Sequence, residues 1–199
     1  MSFIERLRPM MPLILNGLMF QAVWLLCILG GDQWAPLAIV VLAVWLWWQR
    51  LPGELSQITL LSGAGIVMDS IWMVAGLMVF QDSLWPQTPL IPLWLMVLWF
   101  GFSATLRHSM RFLLGRPLLA AVLGATAAPL SYATGAHLAD VDITLLTLVA
   151  VGAGWATLLA VAAHWFQTEA DQQPIPVSGS VSDTGSILSD PRPHSLNDY

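Results

Sequence analysis

Six stretches of the chain carry apolar side chains with few polar interruptions: residues 13–30, 35–49, 57–80, 90–107, 118–137 and 144–166. Most approach the ~20 residues that a helix needs to cross a bilayer. The pattern predicts an all-α polytopic membrane protein with six transmembrane helices in one bundle, over residues 1–166. The second stretch is the shortest, reaching about 22 Å at ~1.5 Å per residue. Trp34 at one end and Trp45, Trp47 and Trp48 at the other fit aromatic belts at the two membrane surfaces. It is therefore read as a short span, with an interfacial hairpin as the alternative. Arg6 and Arg8 ahead of the first stretch imitate a signal peptide. Asn16 and Gln21 interrupt that run, however, and no small-x-small cleavage site follows Gly30, so it is read as a retained helix.

From about residue 167 the pattern stops. The tail, 167–199, is rich in Ser, Asp, Pro and Gly and has no apolar period. It cannot bury enough surface to offset its ordering entropy and is expected to be disordered and solvated. SGAG at 62–65 echoes VGAG at 151–154, which chance explains in a Gly- and Ala-rich chain.

Composition agrees with the pattern. The chain is 57% hydrophobic and 10% charged, against about 25% charged in soluble domains. Its mean hydropathy is +0.71. The net charge of −5 divides unevenly. The tail sets Glu169, Asp171, Asp183, Asp190 and Asp198 against Arg192, and residues 1–166 are nearly neutral. No basic cluster of nucleic-acid type exists. The lone Cys27 excludes an intramolecular disulfide.

The seven Arg residues orient the bundle. With six spans, one side receives the N-terminus, residues 50–56, residues 107–117 and the tail, and with them all seven Arg. The other side holds Asp32, Asp82, Asp140 and Asp142 and no Arg. Cytoplasmic loops collect Arg and Lys, so both termini are expected in the cytoplasm. Omitting the second helix would send Arg107, Arg111 and Arg116 outside.

Candidate chemistry begins with GAGIVMDSIWMVAG, residues 63–76, where Asp69 sits inside an apolar run. An acid at mid-bilayer costs at least about 2.5–3.5 kcal/mol, so it must face protein or water. Gly65, Asp69, Trp72 and Gly76 share one helical face on which small residues permit close approach. Asp69 is a candidate proton relay, cation partner or acid/base group; the plainer alternative is a carboxyl hydrogen-bonded across helices. In TLRHSMR, residues 105–111, Thr105, His108 and Ser109 share one side by helical spacing, and Arg107 and Arg111 another. Arg107, Arg111 and Arg116 suit contacts to anionic headgroups at the cytoplasmic face. His108 suits proton transfer or simple interfacial hydrogen bonding.

Asn16 and Gln21 bring amides that need partners inside a bundle. By helical rise, His108 and Asn16 fall within ~5 Å of the cytoplasmic face, Thr105 near ~6 Å, Gln21 near ~12 Å and Asp69 near ~18 Å. These residues are expected to line a polar cleft that opens to the cytoplasm and ends at Asp69. Ala120, Gly124 and Ala128 form one small-residue stripe, and Gly152, Ala156 and Ala160, continuing to His164, another. Pro129 is expected to kink its helix and free a carbonyl near Ser131, Tyr132 and Thr134, which brings Tyr132 into the candidate site. There is no H-E-x-x-H, paired Cys, His-rich box or Gly-rich phosphate loop, so no metal and no cofactor are expected.

The runs NGLMFQAVWLLCILG (16–30), MDS (68–70), PLWLMVLWFGFSATLRHSMRFL (92–113) and GRPLLAAVLGATAAPLSYATGAHLA (115–139) resemble the domain of unknown function 2878 family of small bacterial inner-membrane proteins. The resemblance covers roughly residues 14–166. It implies a polytopic inner-membrane protein and transfers no activity. Proteins of this kind are encoded beside enzymes that modify membrane lipids, including cyclopropane-fatty-acid-synthase-like methyltransferases. The resemblance therefore implies an accessory role in membrane-lipid modification or handling, with membrane lipids and a lipid-modifying enzyme or other membrane protein as partners. A small proton-coupled transporter and a membrane scaffold for a soluble enzyme are the rival expectations.

Overall fold

The computed structural model describes residues 10–49, 51–80, 84–85, 87–138 and 143–172. Among them are five helices and no strand: α1 (Met11–Gln49), α2 (Glu54–Val74), α3 (Leu93–Ser103), α4 (Pro117–Leu138) and α5 (Leu145–Gln172). A 3-10 turn, Arg111–Leu113, lies between α3 and α4. Four of the helices are long and apolar enough to cross a membrane: α1, α2, α4 and α5 over Leu145–Phe166. The fifth, α3, is apolar but has only 11 residues, about 16 Å.

A straight α1 would be about 58 Å long, nearly twice the ~30 Å hydrocarbon core. It is broken at Gly31, whose φ of 53° and ψ of −145° lie outside the helical region. Only glycine takes that conformation without strain. Asn16, Phe20 and Val23 before the break line one narrow cavity with Leu42 and Trp45 after it. Asn16 and Trp45 are almost equally far from Gly31 in sequence, so the two arms run back along each other as a hairpin. The break falls between the first two apolar stretches. Gly30 assists it, because a Cβ there would collide with the Trp34 ring.

Beside the break, Asp32 holds another part of the chain. Its Oδ1 accepts the Trp94 N–H at 2.9 Å and its Oδ2 accepts the Leu84 N–H at 2.8 Å. Trp94 is the second residue of α3, which has no side-chain cap of its own. Asp32 thus satisfies an amide that the helix start leaves open, and its charge suits the positive end of the helix dipole.

Helix ends depart from the apolar pattern where turn chemistry overrides it. The stretch 57–80 stays apolar to its end, but α2 stops at Val74. Gly76, at φ 76°, takes the left-handed position, with Leu77 N–H donating to Trp72 O at 2.9 Å and Gly76 N–H to Met73 O at 3.0 Å. This is a glycine-capped C-terminus. The stretch 90–107 yields only α3, and residues 104–110 are turns. There the Thr105 hydroxyl donates back to Phe102 O at 2.6 Å, competing with helical continuation. At the other extreme α5 runs six residues past 166, into the segment expected to be disordered. The rest of that tail, 173–199, lies outside the described residues, as do Arg6, Arg8, Arg50, Arg192, Asp82, Asp140 and Asp142.

The bundle centres on α3, which packs against α1 and α2, while α4 and α5 form the closest pair. A Cβ on Gly124 would lie 2.5 Å from Trp155 O, so these backbones touch. Pro129 has no N–H to give the Ala125 carbonyl. Gly152 packs over that spot, its absent Cβ only 3.1 Å from Ala125 O and 3.2 Å from Pro129 Cγ. The stripe of Ala120, Gly124 and Ala128 is buried throughout, whereas on α5 burial fades from Gly152 to an exposed His164. Asp32→Ala is expected to destabilise the bundle by about 1–2 kcal/mol, because two amides lose their acceptor. Asp32→Asn, which keeps one acceptor oxygen, is expected to recover about half; thermal unfolding in detergent micelles measures both.

Candidate functional site

Asp69 is fully buried in α2. Glu54 begins that helix and Val74 ends it, so Asp69 stands about 22 Å from one end and about 8 Å from the other. The sequence puts it near mid-helix; the early stop at Val74 moves it toward the end of the bundle that Asp32 closes. Of the face expected to carry it, Gly65 and Asp69 are buried, Trp72 is half-buried, and Gly76 belongs to the turn beyond the helix.

Two donors meet the carboxylate. Trp99 Nε1, from α3, donates to Oδ2 at 2.7 Å, and the Tyr132 hydroxyl, from α4, donates to the same oxygen at 2.8 Å. Gly65 makes the first possible, since any Cβ there would run into the Trp99 ring. The indole lies across the missing side chain and reaches Asp69 one turn further on. From α5, Trp155 stacks on Trp99 with centroids 4.5 Å apart and planes at 14°. It meets Phe102 and Tyr132 edge-on, at 4.7 and 6.5 Å. Four helices therefore converge on one carboxylate, and each donor ring is itself packed.

The site is incomplete in two places. Asp69 Oδ1 is buried with no hydrogen-bond partner, although Oδ2 has two. Trp155 Nε1 is also buried and unpartnered; it approaches the Tyr132 hydroxyl without hydrogen-bond geometry. No cation among the described residues meets the carboxylate. Among the described residues Arg107, Arg111 and Arg116 all lie between α3 and α4, at the far end of α2. Nor do three His, Cys, Asp or Glu side chains come together there as a metal site.

The remaining candidates form a separate cluster at that far end. Asn16 Oδ1 accepts the Ser109 hydroxyl at 2.8 Å, and Asn16 Nδ2 donates to Ala104 O at 3.4 Å. His108 Nε2 lies 2.7 Å from Oε1 of Glu54, a residue only 1% exposed. Glu54 Oε2 accepts the Leu51 N–H at 2.7 Å, and Arg107 Nη1 donates to Pro52 O at 3.0 Å. These contacts pin the turns after α3 to the starts of α1 and α2. Thr105, His108 and Ser109 do not share a helical side, because the segment is not helical and each takes a different partner. Arg107 and Arg111 separate for the same reason: Arg107 is tied to Pro52, while Arg111 and Arg116 are exposed. Gln21 points out of the bundle, being ~200° around the helix from inward-facing Val23. The narrow cavity beside Asn16 and Thr105 continues past Phe20 and Gly101 and does not include Asp69. Two polar clusters thus stand where one continuous cleft is expected.

Glu54, Trp99 and Trp155 carry much of this geometry and are not among the residues expected from the sequence. Trp99 and Trp155 sit in wholly apolar runs, where a ring's single N–H gives no signal. Glu54 follows Pro-Gly and reads as part of a loop.

Long apolar helices with a carboxylate buried between them mark the chain as a helical membrane protein. More particularly, it belongs to the family described as protein of unknown function (DUF2878), whose model matches residues 13–161. That span contains Asp69, Trp99, Tyr132 and Trp155. Neither a curated protein nor a solved structure matches the chain.

Gly65→Ala is expected to push Trp99 off α2, cost about 1–3 kcal/mol and shift tryptophan emission. Gly63→Ala, whose Cβ meets open space, should leave both unchanged. Tyr132→Phe removes one of two donors and should lower stability by about 1–3 kcal/mol in the same melting assay.

Proposed function

We propose that this protein is a six-span bacterial inner-membrane protein, with both termini cytoplasmic, that acts as an accessory factor in membrane-lipid modification or handling. The Asp69 cluster holds the polar group of a lipid inside the bilayer. The carrying observation is the unfilled Oδ1 of a carboxylate enclosed by Trp99, Tyr132 and Trp155. A soluble substrate would need a water path to that depth, whereas a lipid arrives sideways. The N-terminal arm of α1 and α4 meet along a thin seam, bridged by Trp24 Nε1 donating to Ser131 Oγ at 3.2 Å and by Ile28 against Gly135. Tyr132, beside Ser131 in sequence, is only half-buried.

The six-span reading is supported by the hairpin at Gly31, which makes two short spans of α1, and by α3 with the turns after it as the fourth. Exposed Trp47, Trp48 and Trp165 toward the Arg-bearing end and Trp34 toward the other fit two aromatic belts. A small number of Arg at one end favours that end as cytoplasmic.

Whole-lipid mass spectrometry of a deletion strain tests the role. Complementation uses wild type, Asp69→Asn, or a chain ending at residue 172. At least one lipid species is expected to change on deletion, and to return with wild type and the shortened chain but not with Asp69→Asn. Identical profiles in all strains would reject a lipid role. Unchanged lipids with a pH-gradient-driven flux lost in Asp69→Asn would favour the transporter; failure of the shortened chain alone would favour the scaffold.

A further inference from the structure

We propose that the Asp69 cluster selects a hydroxyl group, carried into the bilayer on a neutral lipid such as a diacylglycerol. The inference rests on the lipid-handling reading and names the ligand chemistry of that site. Two unpartnered polar atoms lie in one cluster of packed rings, one an acceptor and one a donor: Asp69 Oδ1 and Trp155 Nε1. Asp69 is wholly buried and Trp155 is 9% exposed, so bulk water does not satisfy either. Buried polar atoms in a folded protein normally find partners. Trp155 packs on both rings that hold Asp69, so one group that donates and accepts would complete the acceptor and the donor together.

The alternatives fail on chemistry. A phosphate or carboxylate headgroup would set acceptor oxygens against the Oδ1 acceptor, and among the described residues no cation lies between them: the groups meeting Asp69 are the neutral Trp99 indole and Tyr132 phenol. An ammonium headgroup fills Oδ1 but offers nothing to the Trp155 N–H. A hydroxyl donates to Oδ1 and accepts from Trp155 Nε1. The glycerol backbone of a diacylglycerol holds that hydroxyl just above its acyl chains, at the depth of a site about 8 Å from a helix end. Entry is through the Trp24–Ser131 seam.

The chain itself supplies an isosteric control. Both Trp99 and Tyr132 donate to Oδ2, so in Asp69→Asn the amide oxygen takes that place and the NH2 group replaces Oδ1. The free acceptor becomes a donor while the shape is kept.

The test titrates full-length protein in phosphatidylcholine nanodiscs with 1,2-dioctanoylglycerol, its O-methyl ether and dodecylammonium, reading tryptophan emission. Wild type is expected to respond saturably to dioctanoylglycerol, and at least tenfold more weakly to the methyl ether and to dodecylammonium. Asp69→Asn and Trp155→Phe are each expected to weaken dioctanoylglycerol binding at least tenfold, with circular dichroism and melting unchanged within a few degrees. Tyr132→Phe provides a second variant if either fails to fold, and should weaken binding less. Equal binding of the methyl ether, preference for the ammonium, or undiminished binding by Asp69→Asn would overturn the inference. So would a folded wild type with no response, which would leave the two atoms to a structural water. Hydroxyl-selective binding with an unchanged cellular lipid profile would reject the accessory role and keep this site. A changed profile with no hydroxyl selectivity would do the reverse.

Discussion

A carboxylate cannot be left bare in a hydrocarbon layer, and the centre of this bundle is arranged around that constraint. Asp69 draws a donor from α3 and another from α4, and the rings that bring them are locked by Trp155 from α5. Gly65 gives up its side chain so that Trp99 can lie across α2. Removing the acid would leave an indole N–H and a phenol O–H unmatched in the core, so its neighbours depend on it as much as it depends on them. The same carboxylate that joins α2 to α3 and α4 keeps one oxygen, Oδ1, without a hydrogen-bond partner.

Fastening at the two ends follows the same logic. Between helices surrounded by lipid, burying apolar surface gives little net drive, and polar contacts with close backbone approach do more of the holding. Asp32 ties the α1 hairpin to α3 and to the residues before it. Glu54, His108, Arg107 and Asn16 tie the other end. Between them, Gly124 and Gly152 let α4 and α5 touch along their backbones. Among the described residues the charged side chains with specific contacts are Asp32, Glu54 and Arg107 at the ends and Asp69 between them.

Much of the architecture is legible in the sequence. The apolar pattern locates the helices, and its gap at 31–34 coincides with the hairpin at Gly31. Asp69 stands out because an acid is conspicuous in an apolar run. Tyr132 is reached for another reason than the one expected: the helix runs on through Pro129, the carbonyl that Pro129 frees is that of Ala125, and the Tyr132 hydroxyl turns to Asp69. The losses have physical causes. Apolar pattern does not mark where a helix ends when the residues beyond it are equally apolar, so Val74 and Ser103 are invisible as termini and the depth of Asp69 is misjudged. Assuming a helix through 107 puts Thr105, His108 and Ser109 on one side, whereas the turns send them to different partners. Gln21 looks like Asn16 in sequence but is half a helical circumference from the inward face. Trp99 and Trp155 serve as polar groups through one N–H each, and residue type does not distinguish such an indole from ordinary core.

The contact between Asp32 and Trp94 spans 62 positions of the chain. Translation delivers the acceptor long before the amide it holds. The hairpin made by α1 is thus a template already present when α3 emerges, and α3, at 11 residues, is too short to settle across a membrane unaided. Asp32 offers it an anionic corner that precedes it in the chain. The order of synthesis suits this contact: the acceptor is made before the short helix whose amide it takes.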